Sequence, residues 1–423
     1  MDPKPATPPP ASPSTTDAPT RAAVDAAVLA TYAAFISTGF AFASWASRIP
    51  QVRDGLRLDP SELGLVLLAI AAGSLIALPL SGLIVSRFGS RWTVRTMALV
   101  DTVGLLIIAF GSEIGVAPVV VGLFLFGFGQ GAWDVAMNVQ GALAERRLGK
   151  AILPRFHAGF SIGTVAGALL GAAMVALGVP VTVHLAGVAI FIALFVPFAV
   201  RGFLPDHLPG DEGAPAQASG GERRSAFGAW RERRTLVVGL FVLAFAFAEG
   251  TGNDWIGIAL IDGYGTTAAL GTLGFATFLA AMTAGRWFGP SLLDRYGRVP
   301  VIRVLTVICL AGVLLFVFGP AVPVAFLGVL LWGLGLSLGF PVGMSAGADE
   351  PELAAPRVSV IASIGYCAFL AGPPLIGVLG SQVGVLRAIL AVAVMLALAM
   401  LITGAIRPLP RPAAVEIEEG AQA

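Results

Sequence analysis

The chain has 423 residues, of which 57% are hydrophobic and 12% are charged. Soluble domains carry about 25% charged residues, so this composition predicts a membrane protein that crosses the lipid bilayer many times. The net charge of +1 excludes a strongly basic chain and argues against a nucleic-acid partner. The two cysteines, Cys309 and Cys367, lie in apolar runs, which excludes a disulfide framework.

Residues 1–24 are rich in proline, serine, threonine and alanine, and their low hydrophobicity predicts a disordered tail. Beyond them, twelve apolar runs are each long enough, at about 20 residues, to cross the hydrocarbon of a bilayer. They predict an all-α membrane protein with two six-helix bundles at 25–201 and 235–406, a cytoplasmic linker at 202–234 and a cytoplasmic tail at 407–423. The predicted helices 1 to 12 span residues 25–46, 61–85, 93–111, 118–144, 155–178, 182–201, 235–258, 269–292, 299–319, 322–346, 357–379 and 384–406.

The basic residues fall mostly on one side of this topology. With both termini in the cytoplasm, most of the 26 lysines and arginines lie in cytoplasmic segments, as the positive-inside rule requires. We therefore expect a multi-pass protein of the plasma (inner) membrane with both termini in the cytoplasm. The loop after helix 1 departs from the rule because it contains Arg48, Arg53 and Arg57, with Asp54 among its acids. This loop is either an outer gate or a locally neutral loop, and we favour the neutral loop.

The second half of the chain repeats the first at an offset of roughly 205 residues. Residues 40–43, Phe-Ala-Phe-Ala, recur at 245–248, and residues 161–163, Ser-Ile-Gly, recur at 363–365. Two parallel six-helix halves around a site near the middle of the bilayer are typical of transporters.

Helix 5 carries a glycine at every fourth position, namely Gly159, Gly163, Gly167 and Gly171. Small residues at this spacing allow the backbone of a partner helix to approach closely. We therefore interpret the stripe as a packing surface and not as a binding site.

Residues 82–91, between helices 2 and 3, read Gly-Leu-Ile-Val-Ser-Arg-Phe-Gly-Ser-Arg, and residues 294–298 of the second half read Asp-Arg-Tyr-Gly-Arg. Both resemble the Gly-x-x-x-Asp-Arg-x-Gly-Arg-Arg pattern of the major facilitator superfamily, and the resemblance covers essentially the whole membrane region. It implies a conformational latch in which arginines pair with acids or helix ends; the alternative is ordinary positive-inside anchoring. Because Ser86 replaces the acid, the second-half latch is expected to be the stronger. The predicted latch residues are Gly82, Arg87, Gly89, Arg91, Asp294, Arg295, Gly297 and Arg298.

Helix 4 contains Asp134 and, four residues later, Asn138, inside a strongly apolar run. Residues four apart share a helix face, and an ionisable residue inside a bilayer usually faces a bundle interior or a substrate pathway. Within the superfamily the pair resembles the fucose/proton symporter branch, which implies proton coupling by Asp134 near a sugar site. The alternative is a structural carboxyl that never titrates. Helix 10 has Phe340 and Met344 at the equivalent positions, so the acid belongs to one half only.

Helix 7 repeats the acid-to-asparagine spacing with Glu249 and Asn253, which makes Glu249 a second candidate for proton coupling. Asp254 is expected nearer the outer surface, and Asp101 of helix 3 is expected in a structural pairing. Arg286 of helix 8 either snorkels to the interface or neutralises one of the acids. Tryptophans can stack on a sugar-like ring, mark interfaces or fill packing gaps. The predicted substrate-binding residues are Asn138, Gln130, Trp133, Asn253, Trp255 and Trp45.

These residues predict a secondary active transporter of a small polar, sugar-like organic solute, coupled to protons and working by alternating access. Two alternatives stay open: proton-driven efflux of an amphipathic compound, and a membrane sensor or scaffold that does not transport. The chain has no His-Glu-x-x-His pair and no Gly-x-x-x-x-Gly-Lys loop, so we expect no enzyme. The expected partners are the small-molecule substrate, protons and the lipid bilayer, with no cofactor, metal or nucleic acid, and the protein is expected to be a monomer.

Overall fold

The structure, a computed structural model, describes residues 20–150, 152–206, 228–350 and 353–409. These ranges contain helices and no strands, and twelve helical segments are long and apolar enough to cross a membrane. The predictions on residues 1–19, on 207–227 of the linker and on 410–423 lie outside the described residues. The spans, numbered α1 to α12 after predicted helices 1 to 12, are Arg21–Ala46, Pro60–Phe88, Ser90–Gly111, Val116–Leu148, Leu153–Ala176, Val181–Ala199, Arg233–Tyr264, Ala268–Tyr296, Arg298–Phe318, Val322–Leu336 continued by Gly339–Gly347, Ala354–Val383, and Val385–Ala388 continued by Leu390–Ile402.

Capping residues and glycine turns set where the spans begin and end. The Thr20 hydroxyl accepts a hydrogen bond from the Ala23 amide at 3.3 Å, so α1 begins at Arg21, ahead of the predicted boundary at residue 25. Gly89 takes a φ of 82°, which lets α3 follow α2 without an intervening loop. Gly297, at a φ of 81°, makes the same turn between α8 and α9. The two halves therefore have the same type of glycine turn at equivalent positions.

The spans form two six-helix halves with the same internal pairing. In the first half α1 packs against α5, and α4 packs against both α2 and α3. In the second half α7 packs against α11, and α10 packs against both α8 and α9. Two further contacts, α2 with α11 and α5 with α8, join the halves. The short sequence matches therefore reflect a repeat of the whole helix arrangement.

The two halves meet at one face of the membrane region. Residues 20, 206, 228 and 409 lie at what we call the terminal face, and the loop after α1 lies at the opposite, distal face, because each span crosses once. At the distal face, the Thr272 hydroxyl of α8 donates to the Ser47 carbonyl oxygen at 3.4 Å. The Ser61 hydroxyl of α2 donates to the Ser381 hydroxyl of α11 at 3.0 Å. These contacts bind the first half to the second, so the distal face is closed.

The glycine stripe of α5 is a packing surface, as predicted. A Cβ added at Gly163 would lie 2.1 Å from the carbonyl oxygen of Ile36 in α1, and one at Gly167 would lie 2.5 Å from that of Phe40. Backbone atoms cannot move aside as a flexible side chain can, so the stripe fixes how closely α1 and α5 pack.

Gly163→Ala should therefore lower the free energy of unfolding by about 1–3 kcal/mol, because the added methyl group forces α1 away from α5. Gly187→Ala in α6 is the matched control, since its added Cβ meets no atom within 4 Å. That change should be neutral or stabilising by up to about 1 kcal/mol. Denaturant titration in detergent micelles measures both, and equal stabilities would contradict the close α1–α5 contact.

Candidate functional site

Asp134 lies near the middle of α4, and Asn138 is its hydrogen-bonding partner. Asn138 Nδ2 donates to the backbone oxygen of Asp134 at 2.9 Å and to its Oδ1 at 3.3 Å. The two side chains share one helix face, as their spacing predicts. Both are half-buried, and within the described ranges the amide of Asn138 is the one group that hydrogen-bonds the Asp134 carboxyl.

Asp134 lies within electrostatic range of the second half. Its charge acts on the phenol of Tyr366, which belongs to α11 and is 36% exposed. Because α4 and α11 belong to different halves, this influence crosses between them. Tyr366 was not among the predicted site residues. The available signal was a tyrosine, one of four in the chain, inside an apolar span.

Glu249 of α7 forms an ion pair with Arg286 of α8. Arg286 Nη2 lies 3.0 Å from both carboxylate oxygens of Glu249, and the side chains are 29% and 18% exposed respectively. Arg286 Nε also donates to the Ser337 carbonyl oxygen at 3.4 Å. The sequence left two roles open for Arg286, snorkelling to the interface or neutralising an acid. In the structure it neutralises Glu249. Glu249 differs from Asp134 in having a charged partner.

His157 of α5 brings the first half close to this ion pair. The Arg286 charge acts on its imidazole, which also packs edge-on against Phe35 at a ring-centroid distance of 5.1 Å. His157 is therefore a first-half side chain within electrostatic range of a second-half cation.

Asn253 and Asp254 continue the polar face of α7 toward the distal face. Both are half-buried, and Asn253 Oδ1 is enclosed without a hydrogen-bond donor. The Asp254 carboxyl has no hydrogen-bonding or ion-pairing partner among the residues that the structure describes. It lies farther along α7 than Glu249, in the direction that the sequence predicted.

Gln130 of α4 is committed to a structural contact. Its Nε2 lies 3.2 and 3.1 Å from the two carboxylate oxygens of Asp101 in α3, which is fully buried. A buried carboxyl needs hydrogen-bond donors, and this amide supplies them. Asp101 thus has the structural pairing that the sequence predicted. Gln130, predicted as a substrate ligand, instead has its amide hydrogens directed at Asp101.

The three predicted substrate-stacking tryptophans lie in the protein core. Trp45 is 2% exposed, and Trp133 and Trp255 are 0% exposed, with each indole N–H lacking an acceptor. In this conformation no ring presents a face to a solute. Substrate contact by these rings requires the helices around them to move.

The second-half latch contains an ion pair. Arg298 Nη1 lies 2.7 Å from Asp349 Oδ1, and Arg298 Nη2 donates to the Ser345 hydroxyl at 3.0 Å. Arg234, at the start of α7, lies 2.7 Å from the other Asp349 oxygen. Arg295 instead stacks over the Tyr296 ring at 5.2 Å. One carboxylate therefore joins the α8–α9 turn and the start of α7 to the end of α10.

The first-half latch holds its carboxylate with uncharged donors. The side chain and backbone N–H of Ser90 both donate to Asp206, which follows α6. The Nε2 of Gln140 in α4, with two hydrogens to share, lies 2.8 Å from each of the Ser90 hydroxyl, the Leu204 carbonyl oxygen and Asp206 Oδ1. Arg91 donates to the Phe203 carbonyl oxygen. Gln140 and Asp206 were missed because neither belongs to the recognised loop pattern, and the hydroxyl of Ser86 bonds only within its own helix.

Three Gly-x-Ser-x-Gly sequences occur in the chain: residues 159–163 lie in α5, residues 343–347 lie in α10, and residues 335–339 lie where the two helical parts of α10 meet. A hydrolase nucleophile at this motif needs a strand-to-helix turn. Among the described residues no strand precedes any of these sequences, so none of them forms the turn that a hydrolase nucleophile needs.

Comparison with known proteins supports the sequence resemblance. The family model described as Major Facilitator Superfamily matches residues 27–366. A curated relative, the uncharacterized transporter y4wD of Sinorhizobium fredii, is 30% identical over 356 residues, which cover 82% of this chain and 89% of that protein. The membrane protein MosC of Rhizobium meliloti is 29% identical and covers 84% of each chain.

Solved structures share the fold. A mutant of the nucleoside transporter NupG matches with a TM-score of 0.74 and 13% identity, covering 91% of this chain and 99% of that one. The fucose:proton symporter FucP of E. coli matches with a TM-score of 0.59 and 17% identity, covering 89% and 98% of the two chains. The predicted twelve-helix fold and superfamily resemblance are thereby confirmed, and the chain is a transporter of the Major Facilitator Superfamily.

Proposed function

We propose that the protein is a proton-coupled secondary transporter of a small polar, sugar-like organic solute. The observation that carries the proposal is the half-buried Asp134–Asn138 pair near the middle of α4, within electrostatic range of Tyr366 in the second half. An amide and a carboxyl on one helix face can each hydrogen-bond a solute hydroxyl. Two of the proteins with the same fold are named for transport of a nucleoside and of fucose, both polar organic solutes.

Asp134 is the proposed site of proton coupling. Protonation removes the charge of a carboxyl and so lowers the cost of enclosing it between the halves. A proton and solute bound from one side then let the halves rock, and release to the other side restores the charge. Asp134 suits this step because its partner, Asn138, is uncharged.

Glu249 is the proposed second proton site. Its protonation would remove the charge attraction that holds Arg286 and free the guanidinium. Because Arg286 lies within electrostatic range of His157 in the first half, the proposal is that release of this ion pair is felt across the boundary between the halves. Asn138 and Asn253 are the proposed solute ligands.

We place the terminal face in the cytoplasm of a bacterial inner membrane. The supporting observation is that basic residues cluster there, including Arg91, Arg234, Arg298 and Arg357. The distal face is then the outer one, so the described conformation is closed to the outside. In this proposal the transporter is a monomer with no enzymatic activity.

Asp134→Asn should abolish proton-driven accumulation of solute while preserving solute exchange across the membrane, because the amide keeps the shape and loses the titration. Uptake and counterflow in proteoliposomes, with and without a pH gradient, measure the two activities. Asp25→Asn makes the same chemical change on an exposed side chain and should behave as wild type.

Retention of gradient-driven uptake and its pH dependence by Asp134→Asn would refute the role of this carboxyl. If proton entry drives a compound out instead of in, proton-driven efflux of an amphipathic compound would be favoured. Absence of counterflow with any tested sugar, organic acid or amphipathic drug would favour a sensor.

Glu249→Gln and Arg286→Gln should each lower stability by about 1–3 kcal/mol, because each leaves one charged group without its partner inside the membrane. The double variant should lose less than the sum of the two. Denaturant titration in detergent provides the double-mutant cycle. The exposed pair Arg21 and Asp25 is the control and should show coupling within about 0–1 kcal/mol. Additive losses at Glu249 and Arg286 would contradict the ion pair.

Arg298→Gln should slow transport about fivefold without changing solute affinity, because a partly buried ion pair contributes about 1 kcal/mol to one conformation. Arg303→Gln removes an exposed arginine from the same segment and should leave the rate unchanged. Turnover and solute affinity, measured separately, distinguish a latch from a binding residue. A normal rate in Arg298→Gln would favour simple positive-inside anchoring.

A further inference from the structure

The closed distal face contains an ion pair that joins the two halves. Arg53 lies in a short helix, Ile49–Leu56, that follows α1, and its side chain is only 10% exposed. Its Nη1 lies 2.5 Å from Asp262 Oδ2 and its Nη2 lies 3.0 Å from Asp262 Oδ1. Asp262 lies near the end of α7, so the contact crosses from the first half to the second. Arg53 therefore has a partner in the other half in addition to the acid of its own loop that the neutral-loop interpretation expects.

The two members of this pair differ in exposure. The Arg53 side chain is 10% exposed and the Asp262 side chain is 42% exposed, so the guanidinium is largely shielded from water while the carboxylate stays partly solvated. A buried guanidinium that loses its partner cannot recover its full hydration, so Arg53 needs a carboxylate in the closed state. Elsewhere at the distal face the halves touch through their backbones: a Cβ added at Gly64 of α2 would lie 2.5 Å from the Pro373 carbonyl oxygen of α11.

Arg53 has a second carboxylate partner, and this one belongs to its own half. Arg53 Nε lies 2.8 Å and Nη2 lies 2.7 Å from Asp54 Oδ1. Asp54 follows Arg53 directly in the chain and moves with it when the halves separate. Asp262 moves away with the other half.

We propose that Arg53 is the switch residue of a distal gate and that its two carboxylate partners have opposite effects. Asp262 stabilises the closed state, because its attraction to Arg53 exists only when the halves are in contact. Asp54 lowers the cost of opening, because it keeps the guanidinium paired after Asp262 has left. The proposal depends on alternating access but not on proton coupling or on the identity of the solute.

Accessibility of a buried cysteine can test the gate. Thr272→Cys, in a chain with Cys309→Ala and Cys367→Ala, places a thiol at a position that is 1% exposed at the contact between the halves. A bulky, membrane-impermeant maleimide added from the distal side reaches it only after the gate opens. The labelling rate therefore measures the fraction of molecules with an open gate, and it can rise or fall as that fraction changes.

Arg53→Gln and Asp262→Asn should each raise the labelling rate about fivefold or more, the factor that corresponds to about 1 kcal/mol. Asp54→Asn should lower it severalfold, because opening then leaves Arg53 without a partner. The exchange Arg53→Asp with Asp262→Arg should restore slow labelling. Arg57→Gln is the control, since Arg57 lies beside the same helix and has no side-chain partner among the described residues, and its rate should match the parent.

Parent-like labelling in both Arg53→Gln and Asp262→Asn would overturn the gate. Faster labelling in Asp54→Asn would overturn the second part, since it would make Asp54 a component of the closure. A Ser61→Cys, Ser381→Cys pair checks the folded state, because the two hydroxyl oxygens lie 3.0 Å apart and the thiols should form a disulfide under mild oxidation in each variant. Labelling requires neither solute nor a pH gradient, so its result is independent of the Asp134 experiment.

Discussion

The cost of placing charge in hydrocarbon organises this molecule. Inside the spans the protein must supply the partners that water would otherwise provide. It does so for Asp101 with the amide of Gln130, and for Glu249 with Arg286. Asp134 receives only the amide of Asn138 from its own helix, and Asp254 has no partner among the described residues. Asp134 and Asp254 are thus the acids of the described spans with the least compensation from neighbouring side chains.

Close helix packing decides which surfaces stay fixed and which can separate. Within the first half, backbone contacts at Gly163 and Gly167 hold α1 against α5. Between the halves, comparable backbone contacts occur at the distal face, at Gly64 and Gly377, and the Arg53–Asp262 ion pair crosses the same face. An ion pair can exchange partners, and Arg53 already has a second one in Asp54. Rigid halves and an exchangeable contact between them are the mechanical requirements of alternating access.

Much of the fold was predictable because its signals are local. Run length and apolar content located the twelve spans, and collinear motifs revealed the repeat. Helix spacing placed Asp134 beside Asn138. Contacts across helices had no such signal. The local sequence did not indicate that Gln130 bonds Asp101 or that Arg286 pairs with Glu249. It also did not indicate that Arg53 pairs with Asp262. The tryptophans were ambiguous for a related reason, since an aromatic ring suits a core and a binding site equally.

The unequal chemistry of the two latches has a consequence for how the protein responds to its surroundings. In the second half, Arg298 and Asp349 attract each other as opposite charges, and dissolved salt screens that attraction over a Debye length of about 8 Å in physiological salt. In the first half, Gln140 holds Ser90, Leu204 and Asp206 by amide hydrogen bonds, which screening affects far less. A rise in ionic strength therefore weakens the Arg298–Asp349 contact more than the contacts of Gln140, so the two halves of this pseudo-symmetric carrier differ in their sensitivity to salt.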